Sequence, residues 1–289
     1  MIAFNGQYLP AASHGNMRIT DACLGGQWVM GGWLKTATQQ AIIAAFGAEE
    51  GIAVIRRTND YLNALALTDP TRAQQLAMFI QEDPLLVTSL VETSKTRWLV
   101  GDGKAYVDTN YSIKDENAVI HTKFRAVQTN RLQWIFGQRT ENNNVAATNP
   151  IQVAITANNK SRIAFGPSGT GKEVPFVGID IMEDCEVLLK KNYCEINGFK
   201  QNIEPFVAMP SAVRMYIFAL LDGRTGSSPY SEYIFNGLID KVKIDSVNPA
   251  HFIPCKHENQ VGMLDIISGT FYPNANTQGS FTIAITDKQ

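Results

Sequence analysis

The run Gly166-Pro167-Ser168-Gly169-Thr170-Gly171-Lys172 falls one residue short of a phosphate-binding P-loop. That loop needs a hydroxyl after the lysine to hold magnesium, and it must open a helix whose first amides take the phosphate. Here Glu173 follows the lysine, and its charge would face the phosphates. The residues beyond it, Val174-Pro175-Phe176-Val177-Gly178, have strand character. A Gly-rich turn between two strands is therefore expected, with no nucleotide. The histidines, His14, His121, His251 and His257, lack the His/Glu spacing of a zinc site. His251 and His257 flank Cys255, but their odd spacing, with Pro254 between, argues against shared ligation. No Asp-rich loop has the EF-hand pattern, and there is no G-x-S-x-G elbow. No cofactor and no metal are expected. Cys23, Cys185, Cys194 and Cys255 form no C-x-x-C pair and no disulfide framework, so buried reduced thiols are expected. Cys185 and Cys194 have the spacing to face each other across a hairpin, without an oxidising context to join them.

The elements that would position these residues change in texture near residue 96. Before it the chain is rich in Ala, Gln and Leu. Residues 1–35 have no clear period, and Gly25, Gly26, Gly31 and Gly32 flank Trp28 and Trp33. This predicts an irregular or extended arm that packs by its aromatics. Thr36 to Ala48 predicts a short helix with Ile42, Ile43 and Phe46 on one face. Asp69-Pro70 and Asp83-Pro84 each set a capping acceptor before a proline at the first helical position, where its missing N–H costs nothing. Short helices are expected after both. Their apolar stripes read as core or subunit contact, with no heptad long enough for a coiled coil.

From Arg97 onward Val, Ile, Tyr, Phe, Asn and Gly dominate, the chemistry of strands and turns. Strands are expected at Trp98–Val100, Ala105–Val107, Val119–Phe124, Trp134–Phe136, Ile151–Ala157 and Arg162–Phe165. Cys185–Lys190 and Tyr193–Ile196 predict a hairpin about Lys191-Asn192, and Asn197-Gly198 closes the next turn. Val213–Leu220 is apolar enough for burial on both faces, and Gly237–Ile244 alternates. Many short strands with regular turns argue a sandwich or jelly roll.

Composition bounds the rest. The 289 residues suit two domains; 45% are apolar and 18% charged, the balance of a folded chain with ample core. Net charge is −2, from 25 basic and 27 acidic residues without a basic run, so no nucleic-acid partner is expected. Met1 to Asn16 lacks the basic start and continuous apolar stretch of a signal peptide. No segment approaches the roughly 18 apolar residues of a membrane span, so no membrane insertion is expected.

Three stretches together resemble the laminin-G-like, concanavalin A-like jelly-roll family. Trp98 to Thr109, with Asp102, Gly103, Tyr106 and Asp108, is similar to its first strand. The hairpin Cys185 to Gln201, with Asn197 and Gly198, is similar to its middle element. The most specific part is the ending: Phe252-Ile253-Pro254-Cys255, then Val261-Gly262-Met263-Leu264-Asp265, then Gly269-Thr270-Phe271-Tyr272-Pro273-Asn274. That ending resembles a branch common in gut bacteria and their phages, with Met263 and Ile266 as mild departures. The resemblance covers residues 97–286. It implies a two-sheet jelly-roll sandwich over residues 97–289; with the arm and short helices read above for residues 1–96, the chain is expected to be mainly β with a smaller α or irregular N-terminal region. Pro254, Cys255, Gly262, Asp265, Gly269, Phe271 and Tyr272 are then expected to serve turns and sandwich packing.

Gly178-Ile179-Asp180-Ile181-Met182-Glu183 also resembles the catalytic strand of jelly-roll β-glucanases. Retaining cleavage needs two carboxyl groups about 5–5.5 Å apart. The nucleophile position is Gly178, without a side chain, so an acid alone remains and no enzyme is expected. The expected function is a structural protein of a phage virion, a head or tail appendage or fibre. Its first 96 residues would anchor it to other virion proteins and to itself as a homo-oligomer, a trimer among the forms. The alternative is a lectin-like, glycan-binding protein. Asn142-Asn143-Asn144 and the loop Asp222–Tyr233 are the places where a sugar face would form.

Overall fold

The computed structural model describes residues 3–4, 7–8, 22–24, 27–29, 32–129, 131–138, 151–155, 161–164, 172–174, 179–203, 214–220 and 233–288. The chain divides into two compact units, Met1–Lys95 and Thr96–Gln289. In the first, the expected arm contains two short antiparallel ladders, β1 (Ala3–Phe4) with β2 (Gln7–Tyr8) and β3 (Ala22–Leu24) with β4 (Gln27–Val29). Trp33 donates its backbone N–H to Asn59 Oδ1 at 3.1 Å and its indole N–H to Asn63 Oδ1 at 3.0 Å.

Helix α1 (Thr36–Phe46) stops before the expected Ala48. Gly47 takes φ 81, which only glycine adopts freely, and the chain turns there into α2 (Ala48–Thr68). This longest helix was not legible beforehand. Its buried stripe is Gly51, Val54, Ile55, Thr58, Asn59 and Leu62, so two of the six positions are polar and the period is masked. Helix α3 (Pro70–Glu82) starts as the sequence predicts: Pro70 is in the first turn, and Asp69 Oδ1 accepts from the Arg72 N–H at 2.9 Å. After Asp83-Pro84 the helix is a single 3-10 segment (Pro84–Ser89), and Asp83 makes no side-chain cap bond to it.

The second unit is the mainly β, two-sheet jelly-roll sandwich that the sequence leads one to expect. Its strands are β5 (Lys95–Asp102), β6 (Val107–Asp108), β7 (Val119–Ala126), β8 (Gln133–Gln138), β9 (Ile151–Ile155), β10 (Ser161–Ala164) and β11 (Lys172–Val174). There follow β12 (Cys185–Lys190), β13 (Tyr193–Ile196), β14 (Phe199–Asn202), β15 (Tyr216–Ile217), β16 (Asn236–Asp245), β17 (Ala250–His257), β18 (Gln260–Asp265), β19 (Thr270–Pro273) and β20 (Phe281–Asp287). The larger antiparallel sheet runs β14-β13-β12-β7-β16-β17-β18-β19, with β5 joined to β16 and β20 to β5. The smaller runs β11-β10-β9-β8-β15-β6. Between them lie Leu99, Phe124, Phe136, Val153, Phe218, Phe235, Phe252 and Phe281. The Phe218 ring sits 5.6 Å from Phe235 and 4.9 Å from Phe281. Each such ring removed from water contributes about 1.5–3 kcal/mol.

Three strand expectations change. The Ala105–Val107 strand is displaced to β6, because Asp102 Oδ1 accepts the N–H groups of Lys104 and Ala105, both at 2.9 Å, and folds residues 103–105 into a turn. In the run Val213–Leu220, among the described residues 214–220, only Tyr216 and Ile217 pair as a strand. Phe218 has φ 69, a costly conformation for a bulky side chain, and it turns the chain so that its N–H reaches Ile135 O and its own carbonyl takes the Phe235 N–H. Cys185 and Cys194 do not face each other: Cys194 lies opposite Leu189, and Cys185 opposite Phe124. Cys185, Cys194 and Cys255 are buried free thiols, and burial pushes the first two up to about 12. The Cys23 side chain lies outside the described residues.

Candidate functional site

The outer face of the smaller sheet, turned away from the core, gathers aromatic rings with a charged pair. Strand β8 makes this possible through a bulge between Trp134 and Phe136. Trp134 pairs with Ala154 on the outer face, while Phe136 pairs with Val153 towards the core. Tyr216 of β15 lies between Asp108 and Gly137. Its ring packs 5.6 Å from Tyr106 at a tilt of 52°. Tyr233 meets Trp134 edge-on at 5.0 Å. Gly137 leaves room for this layer, since a Cβ there would lie 2.4 Å from Leu220 Cδ1.

Asp108 ties the charge to the rings. Its Oδ2 accepts from the Tyr216 hydroxyl at 3.3 Å and lies 3.3 Å from Arg214 Nη1. The Arg214 side chain is 44% exposed and that of Asp108 25%. Burial, reinforced by the Asp108 charge, pushes the Tyr216 phenol up to about 12, so it remains a hydrogen-bond donor at neutral pH. Tyr106 is raised for the same two reasons. Tyr106, Asp108, Arg214 and Tyr233 reach solvent, while Tyr216 and Trp134 form the floor. The surface offers ring faces for stacking and donors and acceptors for hydrogen bonds.

The sequence-based site residues fall into structural positions. Asp102 holds the turn above and accepts the Ser280 N–H at 2.8 Å; burial opposes its charge, but these bonds outweigh it and keep the carboxyl below its ordinary value. Gly103 at φ 80 and Gly269 at φ 72 complete turns. Asn197 and Gly198, at φ 48 and 84, make the expected two-residue turn, and the Asn197 side chain accepts from Glu186 N at 2.7 Å. The Pro254 carbonyl accepts from Arg97 Nε at 3.0 Å. Cys255 lies opposite Gly262. A Cβ on Gly262 would lie 2.1 Å from Tyr272 O. Asp265 accepts from the N–H groups of His251, Ile267 and Ser268. Phe271 packs on His257, and Tyr272 on Phe252. Tyr106 and Asp108 are thus the two that the fold brings into the aromatic face. Trp134 was seen only as strand, Tyr216 was hidden in an apolar run, and Arg214 carried no signal.

The two chemical motifs separate from that face. Gly166–Gly171 lies outside the described residues, but Lys172 opens strand β11, antiparallel to β10, where a P-loop requires a helix. Gly178 also lies outside. Ile181, Met182 and Glu183 form a turn ahead of β12 instead of a strand, and Asp180 Oδ1 is taken up by the Met182 N–H at 2.9 Å. Asn142–Asn144 and 222–232 are outside the described residues, and of that loop only Tyr233 is placed. In the helical unit a cleft of about 770 Å³ is lined by Phe46, Glu49, Glu50, Arg57, Glu92 and Ser94 among others. Its main polar groups bind each other: Glu50 takes the Ser94 N–H and hydroxyl, both at 2.7 Å, and Arg57 donates to the Glu92 carbonyl. Among the described residues no group of His, Cys, Asp and Glu could hold a metal, and no helix is long and apolar enough to cross a membrane.

No family model matches the chain, and no curated protein matches it. Among solved structures it is similar to a native heptameric SAP-like pentraxin from Limulus polyphemus, at 8% identity and a TM-score of 0.39, covering 53% of this chain and 77% of that one. It is also similar to a protein from Bacteroides ovatus ATCC 8483 described as a candidate carbohydrate-binding protein. There the identity is 11% and the TM-score 0.41, over 68% of this chain and 60% of that one.

Proposed function

We propose that this chain is a non-enzymatic recognition protein that binds glycan through the outer face of its smaller sheet, and that it is carried as a head or tail appendage of a phage virion. One observation carries the binding reading: the tilted rings of Tyr106 and Tyr216 lie beside the Asp108–Arg214 pair at a partly open surface. A pyranose presents an apolar C–H face to a ring and hydroxyls at its rim, and a carboxylate and a guanidinium match those hydroxyls as acceptor and donor. The virion setting rests on the resemblance of Phe252–Asn274 to a branch shared by gut bacteria and their phages. In it, residues 1–96 anchor the protein to sister copies and to other virion proteins. The binding test is a broad glycan panel on the full chain, with Arg214→Ala and Tyr106→Ala as variants. Binding that both variants lower about tenfold or more supports the reading, as expected for a charged hydrogen bond or a stacked ring. Absence of binding across neutral and acidic glycans defeats it. Sedimentation of whole particles tests the setting: stoichiometric migration with a capsid is expected, and a free monomer defeats the appendage reading.

A further inference from the structure

The outer face of the larger sheet, on the other side of the sandwich from Tyr106 and Arg214, holds a second cluster fixed by strand register. Lys243 of β16 stands directly opposite His121 of β7 and His251 of β17. One step along the strand, Lys241 stands opposite Lys123. Opposed residues of an antiparallel pair bring their Cβ atoms within roughly 5 Å, where like charges destabilise the sheet. Three ammonium groups and two imidazoles therefore share two rows.

The neighbouring carboxylates offset part of this. Asp184 lies 2.7 Å from Lys123 and also binds Arg125. Asp245 lies 3.0 Å from Lys243 Nζ and 3.9 Å from His121 Nε2. Glu186 stands opposite Lys123. Asp240, next to Lys241, has its carboxyl raised by burial to about 6, so at pH 7 it is largely ionised and offsets part of the Lys241 charge. Among the described residues Lys241 makes no ion pair, and His251 Nε2 is buried without a hydrogen-bond partner. A buried donor left without a partner is costly, and a ligand that accepts from His251 Nε2 while lying between the two lysines relieves that cost and the repulsion between the rows together. We infer that Lys241, Lys243, His251 and His121 form a binding site for one tetrahedral oxyanion, a sulfate or phosphate group. Such a group presents mainly acceptor oxygens, which suit ammonium donors and an imidazole N–H, and its charge replaces the repulsion between the rows with attraction.

The test is histidine-selective NMR of the full chain at pH 7 and fixed ionic strength, with sulfate or phosphate exchanged for chloride. His257→Gln, outside the cluster, and His14→Gln help assign the signals. The expected result is a saturable shift of His251 and His121 that spares His257, with affinity weakened about tenfold in Lys241→Gln. No saturable shift, or one that Lys241→Gln leaves unchanged, overturns the site. Repeating the titration with glucose 6-sulfate and glucose 6-phosphate identifies the source: tighter binding of an ester than of the inorganic ion points to a sugar-borne group, and equal or weaker binding to the free anion. Because Arg214→Ala lies on the other sheet, it leaves this titration unchanged while it lowers glycan binding.

Discussion

Asp240 and His251 predict a stability profile in which two opposite slopes conceal each other. Asp240 is the extra residue where β16 bulges between Ile239 and Lys241, and burial raises its carboxyl from 3.8 to about 6 against the pull of Lys241, Lys123 and Lys288. The folded state keeps this proton between pH 3.8 and about 6 while the unfolded chain releases it, so stability falls as pH rises through that window. His251 behaves in the opposite sense. Burial, aided by Lys241 and Lys243, lowers its imidazole from 6.5 to about 4. The unfolded chain takes up this proton first, so stability is lost as pH falls from 6.5 towards 4. At about 1.4 kcal/mol per pH unit each displacement corresponds to about 3 kcal/mol, and partial solvation reduces this to about 2. The windows overlap, so these two contributions nearly cancel between pH 4 and 6.5. Asp240→Asn removes one slope, and its stability should rise by about 2 kcal/mol from pH 4 to 6.5. His251→Gln should fall by a similar amount relative to wild type, and the double variant should return to the wild-type slope. The assay is urea unfolding across that range at constant ionic strength. An Asp240→Asn protein with the pH slope of the wild type would refute the burial argument.

Two further substitutions test the closing strands. Asp265→Ala deprives three N–H groups of their acceptor, of which that of His251 is the least accessible to water, and should cost about 3 kcal/mol. Asp265→Asn keeps one oxygen and should cost about half as much; equal urea midpoints for the two variants would show that the carboxylate bonds are not what matters. Gly262→Ala would press its methyl within 2.1 Å of Tyr272 O and 2.9 Å of Pro273 Cα, backbone atoms that cannot swing aside, so β18 and β19 must part at a cost of about 3 kcal/mol. An unchanged urea midpoint for that variant would refute it.

What was legible depended on whether a signal was local. The hairpin β12–β13 and the turn at Asn197-Gly198 were readable, because two residues with positive φ and two alternating strands specify each other within a dozen positions. Asp69-Pro70 was readable for the same reason. Helix α2 was not, since Thr58 and Asn59 occupy buried positions that an apolar period would mark. Tyr216 was lost because Met215–Leu220 is uniformly buried, and only the left-handed turn at Phe218 separates the residues facing the core from those facing outward.

Each surface owes one side chain to a single extra residue. On a regular strand Trp134 and Phe136 would share a face, and so would Ile239 and Lys241. The bulge at Ile135 sends Trp134 outward while Phe136 stays in the core, and the bulge at Asp240 sends Lys241 outward while Ile239 stays in. Without the first, the aromatic face would lose the ring against which Tyr233 packs. Without the second, the ammonium that makes the oxyanion site would be driven into the core, where a charge costs several kcal/mol. A period-two reading passes over both positions, because a bulge alters no residue type and shows itself only in the register with the neighbouring strand. Trp134 and Lys241 thus reach their outer faces because the alternation breaks beside them, while Tyr216, His121 and His251 reach theirs by regular register.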